Sequence, residues 1–171
     1  NASACLLMLT TTTEDGEEGR PLCASMTDGG PSVEFVSWID PDPIGYGIMP
    51  ASVRLPDGRI LTAIRCREKS GAFEEDRCWI DLHASDDDGA TWRQLCEPVS
   101  DTGMGGNPPT LNRLNDGRLC ITYGYRSAPY DMRATFSADD GMSWGDERVI
   151  RSGAGSHDLG YPRTVQRPDD T

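Results

Sequence analysis

Four arginines lie where short predicted strands end or begin. Arg65 and Arg67 close the run "RILTAIRCR", and Arg126 closes the related run "RLCITYGYR". Arg133 opens a further run, "MRATFSA". A guanidinium carries its donors in a planar fork that binds a carboxylate through two parallel hydrogen bonds. The arginines therefore predict a binding site for an acidic ligand, and an acidic sugar suits that chemistry.

Acidic residues close to these arginines allow a second, purely structural interpretation. In that case each guanidinium pairs with a carboxylate of its own loop and no ligand is involved. The available carboxylates are Glu68, Glu74, Glu75, Asp76 and Asp131. The sequence leaves both interpretations open.

The composition narrows the classes of partner. The formal net charge is −12, which argues against nucleic acid or an anionic membrane surface, because both require a basic face. No apolar run approaches the roughly 20 residues of a membrane-spanning helix.

Six scattered cysteines form no C-x-x-C pair, so we expect buried free thiols and neither a metal nor a cofactor. Cys66 and Cys78 flank one predicted hairpin loop, where a cross-strand disulfide is an alternative.

An octad with the pattern Ser-x-Asp-Asp-Gly-x-Ser/Thr-Trp occurs twice. It reads "SDDDGATW" at 85–92 and "SADDGMSW" at 137–144. The third-position Asp can accept hydrogen bonds from the amides of its own turn, the Gly suits a positive φ, and the Trp can be buried beneath the hairpin. One turn supplies too few fixed ligands for a metal ion. The octad is therefore interpreted as scaffold.

The octads belong to a longer repeat. "PASVRLPDGRILTAIRCR" begins at Pro50, "PTLNRLNDGRLCITYGYR" at Pro109, and "PRTVQRPDDT" at Pro162. Each complete copy contains four short strands, and a unit of roughly 50 residues with four strands is typical of a β-propeller blade. The predicted fold class is thus all-β, as about three blades of a propeller. The predicted divisions are strands 2–4 of one blade at 1–40, full blades at 48–100 and 107–152, and strand 1 of the next blade at 161–171, with "TDGGPS" as a degenerate octad.

The strand order separates two ends of each blade. The Asp-Gly turns and the octads share one end, and the arginines lie at the other. The segments that enter each strand 1 also lie at the arginine end, and they carry Met49, Asn107, His157, Asp158 and Tyr161. This end is the predicted functional one.

The octads match the Asp-box, or BNR repeat, and the whole frame resembles the sialidase superfamily of six-bladed propellers. That resemblance implies a glycoside hydrolase similar to an exo-α-sialidase, in which arginines hold the substrate carboxylate and a Tyr paired with a Glu is the nucleophile. "GYPRTVQ" places Tyr161 at the nucleophile position. Where the family has its Glu, this chain has Met49 and Pro50, so Glu68 is the candidate substitute. A phenol with a pKa of about 10 needs such a base to act as nucleophile.

The resemblance matches one substrate-binding arginine to Arg65 or Arg67 and another to Arg133. Their position at the same end adds Arg126 and Asp158 as substrate-binding candidates, and His157 and Asp158, close to Tyr161, are also candidates for proton transfer. The resemblance also implies a carbohydrate partner resembling a sialoside, a secreted or periplasmic location, and an acid/base Asp and a further Arg upstream of Asn1. We therefore expect the chain to be an incomplete stretch of a propeller of roughly 350 residues. The alternatives are a non-catalytic Asp-box propeller that binds glycans or proteins, and a purely structural set of blades.

Overall fold

A computed structural model of the chain describes residues 4–12, 18–27 and 32–169, which form three antiparallel sheets. The first sheet contains β1 (Ala4–Thr12), β2 (Glu18–Thr27) and β3 (Val33–Trp38). The second contains β4 (Tyr46–Arg54), β5 (Ile60–Glu68), β6 (Arg77–Ser85) and β7 (Arg93–Val99). The third contains β8 (Thr110–Arg113), β9 (Leu119–Tyr125), β10 (Asp131–Ser137) and β11 (Arg148–Arg151).

In each sheet the strands pair in chain order, as a meander does. The regular secondary structure of the described residues is otherwise a single 3-10 turn, Phe73–Glu75, so the all-β prediction is confirmed. Within those residues, no helix has the length and apolar character needed to cross a membrane. The predicted degenerate octad at 27–32 lies largely outside the described residues. Residues 161–167 belong to no sheet; they run beside β8, where the Thr164 and Thr110 hydroxyls lie 2.9 Å apart.

The sheets pack face to face over two apolar cores. The core between the first and second sheets includes Cys23, Ile39, Ile64, Cys66 and Trp79. The larger core between the second and third sheets includes Leu61, Ala63, Ile80, Leu82, Leu119, Ile121 and Tyr123. Successive side chains of a strand point to opposite faces of its sheet, so β5 serves both cores. Ile64 and Cys66 face the first sheet, whereas Leu61 and Ala63 face the third.

This alternation excludes the alternative of a disulfide between Cys66 and Cys78. Cys66 pairs in register with Trp79, and Cys78 pairs with Arg67, so the two thiols project from opposite faces of the second sheet. Both are buried and free. Burial raises the pKa of the Cys66 thiol far above its ordinary value, which keeps it protonated and unreactive.

The two octads fold into the same hydrogen-bonded turn. Ser85 Oγ accepts the Gly89 amide at 2.8 Å and donates to Asp87 Oδ1 at 2.9 Å. Asp87 accepts the Thr91 amide at 2.8 Å and its hydroxyl at 2.6 Å. Trp92 Nε1 donates to the Gly89 carbonyl at 3.1 Å. The second turn repeats these bonds with Ser137, Asp139, Gly141, Ser143 and Trp144. In both turns the Ser hydroxyl, the third-position Asp carboxylate and the Trp indole N–H are thus hydrogen-bonded within the turn, as scaffold requires.

The octads predict a loss of stability in acid. Hydrogen bonds from the Ser143 hydroxyl and amide, and then from Ser137, lower the pKa of Asp139 from 3.8 to about 2. A carboxylate whose pKa is depressed in the folded state stabilises that state above its unfolded pKa, and this contribution is lost as pH falls through the folded pKa. We expect the urea midpoint of the wild type to fall more steeply between pH 4 and pH 2 than that of Asp139→Asn. Parallel midpoints across that range would contradict the assignment.

Candidate functional site

The strand register places the arginines at the end of the sheets away from the octads. Ile60 pairs with Ser85 at the octad end, whereas Glu68 pairs with Arg77 at the other. In the third sheet Leu119 pairs with Ser137, and Tyr125 with Asp131. The second of these ends, where Arg65, Arg67, Arg126 and Arg133 lie, is termed the arginine end.

Arg65 and Arg126 are buried close together at the arginine end. Arg65 is only 7% exposed, and the Arg126 side chain is 11% exposed. Burial, and next the positive charge of Arg65, lower the pKa of the Arg126 guanidinium. The Nε atoms of both are buried and have no hydrogen-bond partner within the described parts of the chain. Two positively charged guanidiniums are therefore buried next to each other, and each retains an Nε–H donor without an acceptor.

The remaining contacts of these two arginines leave most of the charge uncompensated. Arg65 Nη2 donates to the Gly105 carbonyl, and its Nη1 lies 3.6 Å from the Met49 sulfur. Both acceptors are neutral. Arg126 Nη2 lies 3.6 Å from Asp158 Oδ1, but the Asp158 side chain is 79% exposed. An ion pair with so exposed a partner contributes little.

Tyr161 lies beside Arg126 and opens onto a cavity along the innermost strands. A hydrogen-bonding contact with Tyr161 partly opposes the lowering of the Arg126 pKa. The cavity has a volume of about 610 Å³ and is lined by Met49, Tyr161 and Arg163 together with prolines and hydroxyl groups. Met49 reaches it because a bulge interrupts β4 between Ile48 and Ala51, with a φ of 54° at Met49.

Arg67 is held by its own sheet and does not join Arg65 and Arg126. Both Nε and Nη2 bind the Asp76 carboxylate, and Nη1 donates to the Tyr46 hydroxyl at 3.1 Å. The guanidinium also lies 4.5 Å from the centre of the Phe73 ring. The structural interpretation therefore applies to Arg67.

Arg133 is satisfied in the same way. It lies 2.9 Å from Asp131 and 2.9 Å from Glu147, and it stacks on the Tyr125 ring at 3.6 Å. Because its fork is already occupied by two carboxylates, Arg133 has little left to offer a ligand.

Glu68 does not approach Tyr161. Alternation along β5 puts Arg65 and Arg67 on the side facing the third sheet and Glu68 on the side facing the first, where it is exposed. The structure thus brings Arg65, Arg126, Asp158 and Tyr161 together and leaves Arg67, Arg133 and Glu68 apart. Sequence reasoning missed Arg163, although its position two residues after Tyr161 in an extended segment is the signal that both can line one cavity. In the described ranges, no group of three or more His, Cys, Asp or Glu residues could hold a metal ion.

Comparison with solved structures identifies the architecture. A Dyadobacter fermentans protein of unknown function superposes with a TM-score of 0.69 at 23% identity, over 93% of this chain and 42% of that one. An α-L-arabinofuranosidase from Fusarium graminearum gives 0.63 at 16% identity, over 88% of this chain and 49% of that one. A Hadza microbial sialidase gives 0.61 at 18% identity, over 85% and 37%.

The likeness confirms the predicted fold class: the chain is part of a β-propeller. The chain spans less than half the length of each of the three neighbours. No family model and no curated protein sequence matches it.

Proposed function

We propose that these blades bind the carboxylate of a terminal acidic sugar between Arg65 and Arg126, and that the complete propeller cleaves the glycosidic bond of that sugar through Tyr161. The observation that carries the proposal is the pair of buried guanidiniums, close enough for one to lower the pKa of the other, each with an unpartnered Nε.

Burying two cations side by side is costly, because each loses its hydration and repels the other. An anion that enters between them removes the repulsion and offers acceptors to the open donors. A carboxylate fits best, since the guanidinium fork matches it bidentately. A bound carboxylate would thus supply both the negative charge and the acceptors that Arg65 and Arg126 lack.

A sugar is the favoured carrier of that carboxylate for two reasons. The structural neighbours include a sialidase and an arabinofuranosidase, at 18% and 16% identity, and both of these proteins act on glycosides. The cavity beside Tyr161, at about 610 Å³, lies within the size range of small-ligand pockets, and its lining includes Thr10, Ser52 and Thr110. Arginines favour an acidic sugar over neutral arabinose.

In the proposed reaction, the Tyr161 oxygen attacks the anomeric carbon while a general acid protonates the departing aglycone oxygen. Water then attacks the tyrosyl-linked sugar and releases it with retained configuration. The base that deprotonates Tyr161 and the general acid are expected from blades outside this chain.

Non-catalytic glycan recognition is the second candidate, and a specific observation favours it. Met49 lies beside Arg65 where the sialidase resemblance calls for Glu, and within the described residues no carboxylate is hydrogen-bonded to Tyr161. Both candidates share the carboxylate site and differ only in turnover.

Matched substitutions of two arginines test the carboxylate site. Arg126→Met removes a buried charge with no carboxylate of its own blade, whereas Arg67→Met removes one paired with Asp76. In the complete propeller, we expect Arg126→Met to weaken binding of sialic acid or glucuronic acid by about 30-fold, the scale of a lost charged hydrogen bond of about 2 kcal/mol. Its thermal midpoint should hold or rise, because a repulsion disappears. Arg67→Met should lower the midpoint and leave affinity nearly unchanged.

Calorimetric titration with each acidic sugar and with its neutral counterpart, together with thermal melts, makes the measurement. If the wild type binds acidic and neutral sugars equally, or if both substitutions reduce affinity alike, the carboxylate site is wrong.

A further inference from the structure

Asn107 is fully buried between the third sheet and the loop that carries Tyr161. Its Oδ1 accepts the Gly124 amide at 2.9 Å, and its Nδ2 donates to the Gly160 carbonyl at 2.9 Å. Gly124 lies two residues before Arg126, and the Gly160 carbonyl belongs to the peptide that enters Tyr161. A single side chain therefore joins the strand end next to the anion-binding Arg126 to the segment that holds the candidate nucleophile.

The preceding blade has different residues at the places equivalent to Asn107 and Gly124. Where the second sheet pairs Ile48 with Arg65, the equivalent places in the third hold Asn107 and Gly124. A Cβ added at Gly124 would lie 3.1 Å from Asn107 Cγ and 3.2 Å from Leu159 Cβ. The absence of a side chain at 124 thus makes the room into which Asn107 and the loop pack.

The loop itself has few other ties near Tyr161. Gly160 has a φ of 72°, which an L residue rarely adopts, and the Leu159 amide bonds to the His157 carbonyl at 3.0 Å. Tyr161 is 57% exposed, so packing does little to fix its ring. The bond from Asn107 Nδ2 to the Gly160 carbonyl anchors the backbone immediately before Tyr161.

We propose that Asn107 is a positioning residue that sets the place of Tyr161 relative to Arg126 through its bond to the Gly160 carbonyl. The inference rests on the proposed function, since it assigns Asn107 a role in the same site. It predicts that loss of the Nδ2 donor affects turnover more than carboxylate binding, because Arg65 and Arg126 remain in place.

Asn107→Asp is the sharpest test, because it keeps the shape and the acceptor for Gly124 but removes the donor. An ionised carboxylate would repel the Gly160 carbonyl, so kcat for an aryl glycoside of an acidic sugar should fall on the order of 10- to 100-fold at pH 7, as for a small misplacement of a reacting group. The dissociation constant for the free acidic sugar should stay near the wild-type value. Asn115→Asp, the same change at the octad end of the same hairpin, is the matched control.

The pH profile separates positioning from general damage. Burial disfavours ionisation of a carboxyl group, and a protonated Asp can again donate to the Gly160 carbonyl. The kcat of Asn107→Asp relative to wild type should therefore recover as pH is lowered from 7 to 5. A ratio that stays flat, or a loss of binding equal to the loss of turnover, overturns the proposal.

Crystal structures of the wild type and Asn107→Asp give a readout that needs no turnover. The distance from Tyr161 Oη to the Arg126 guanidinium should increase in Asn107→Asp and remain unchanged in Asn115→Asp. If the wild type neither binds nor cleaves an acidic sugar, the proposed function fails while this distance still tests Asn107. An unmoved Tyr161 in Asn107→Asp refutes the positioning role whatever the activity.

Discussion

Tyr161→Phe is expected to lower kcat for hydrolysis of an aryl glycoside of an acidic sugar by about 10³-fold or more, the scale found when a catalytic nucleophile is removed. The substitution deletes one oxygen and keeps the ring that lines the cavity next to Met49. Affinity for the free acidic sugar should change little, because Arg65 and Arg126 hold its carboxylate.

Tyr125→Phe is the matched control at the arginine end. The Tyr125 hydroxyl donates to Asp101 at 3.2 Å, a bond that Phe loses, and its ring stacks on Arg133, a contact that Phe keeps. Steady-state kinetics on both variants in the complete propeller make the measurement. Undiminished hydrolysis by Tyr161→Phe rejects the nucleophile. Binding without any hydrolysis by the wild type selects the non-catalytic candidate instead.

Trp92→Ala is expected to reduce the free energy of unfolding by about 3 kcal/mol, as for other large-to-small changes in packed positions. The Trp92 ring packs against the core between the first and second sheets, and its Nε1 also lies 3.1 Å from Ser37 Oγ of β3. The substitution therefore removes buried apolar area and a polar tie between neighbouring sheets.

Urea unfolding followed by tyrosine fluorescence or circular dichroism would measure the loss. Because the octads lie away from the arginine end, affinity for an acidic sugar should persist under conditions where the variant is folded. An unchanged unfolding midpoint would show that the octad Trp does not join the sheets, and a selective loss of binding would place the octad in the site.

The repeat and the octads were sufficient to predict the sheets. Asp-Gly turns and octads mark the ends of strands, and the period of Pro50 and Pro109 aligns one blade with the next. These signals are local, because each turn is made by residues close in sequence and its chemistry does not depend on the rest of the chain.

The sequence could not show which of the arginines pairs with an acid of the loop that follows its own strand. Arg67 and Arg126 hold the same position in the repeat, yet Arg67 binds Asp76 from the long loop after β5. The corresponding loop after β9 is the short "SAPY", which offers Arg126 no acid. The conformation of the loop decides whether the arginine pairs with an acid, and the pattern of strand residues does not predict that conformation.

Glu68 shows a different limit. It is near Arg65 and Arg67 in sequence, but the two-residue period of a strand sends it to the other side of the sheet. The alternation of side chains along the strand is sufficient to place Glu68 on the opposite face from Arg65 and Arg67, although the three residues are close in sequence. The sequence places Asn107 only at a strand entrance, because its bond to Gly160 joins residues 53 positions apart that no local pattern connects.

The separation of octads from arginines has a consequence for how such a protein can diversify. Architecture is secured at one end by turns that satisfy their own polar groups, so the opposite loops can lengthen, shorten or exchange acids without loosening the sheets. The two loops that follow β5 and β9 already differ in this way: the first carries Asp76, which pairs with Arg67, and the second carries no acid for Arg126. A related protein could therefore gain or lose specificity for a ligand through a single loop insertion, while the turns that stabilise its sheets stay unchanged.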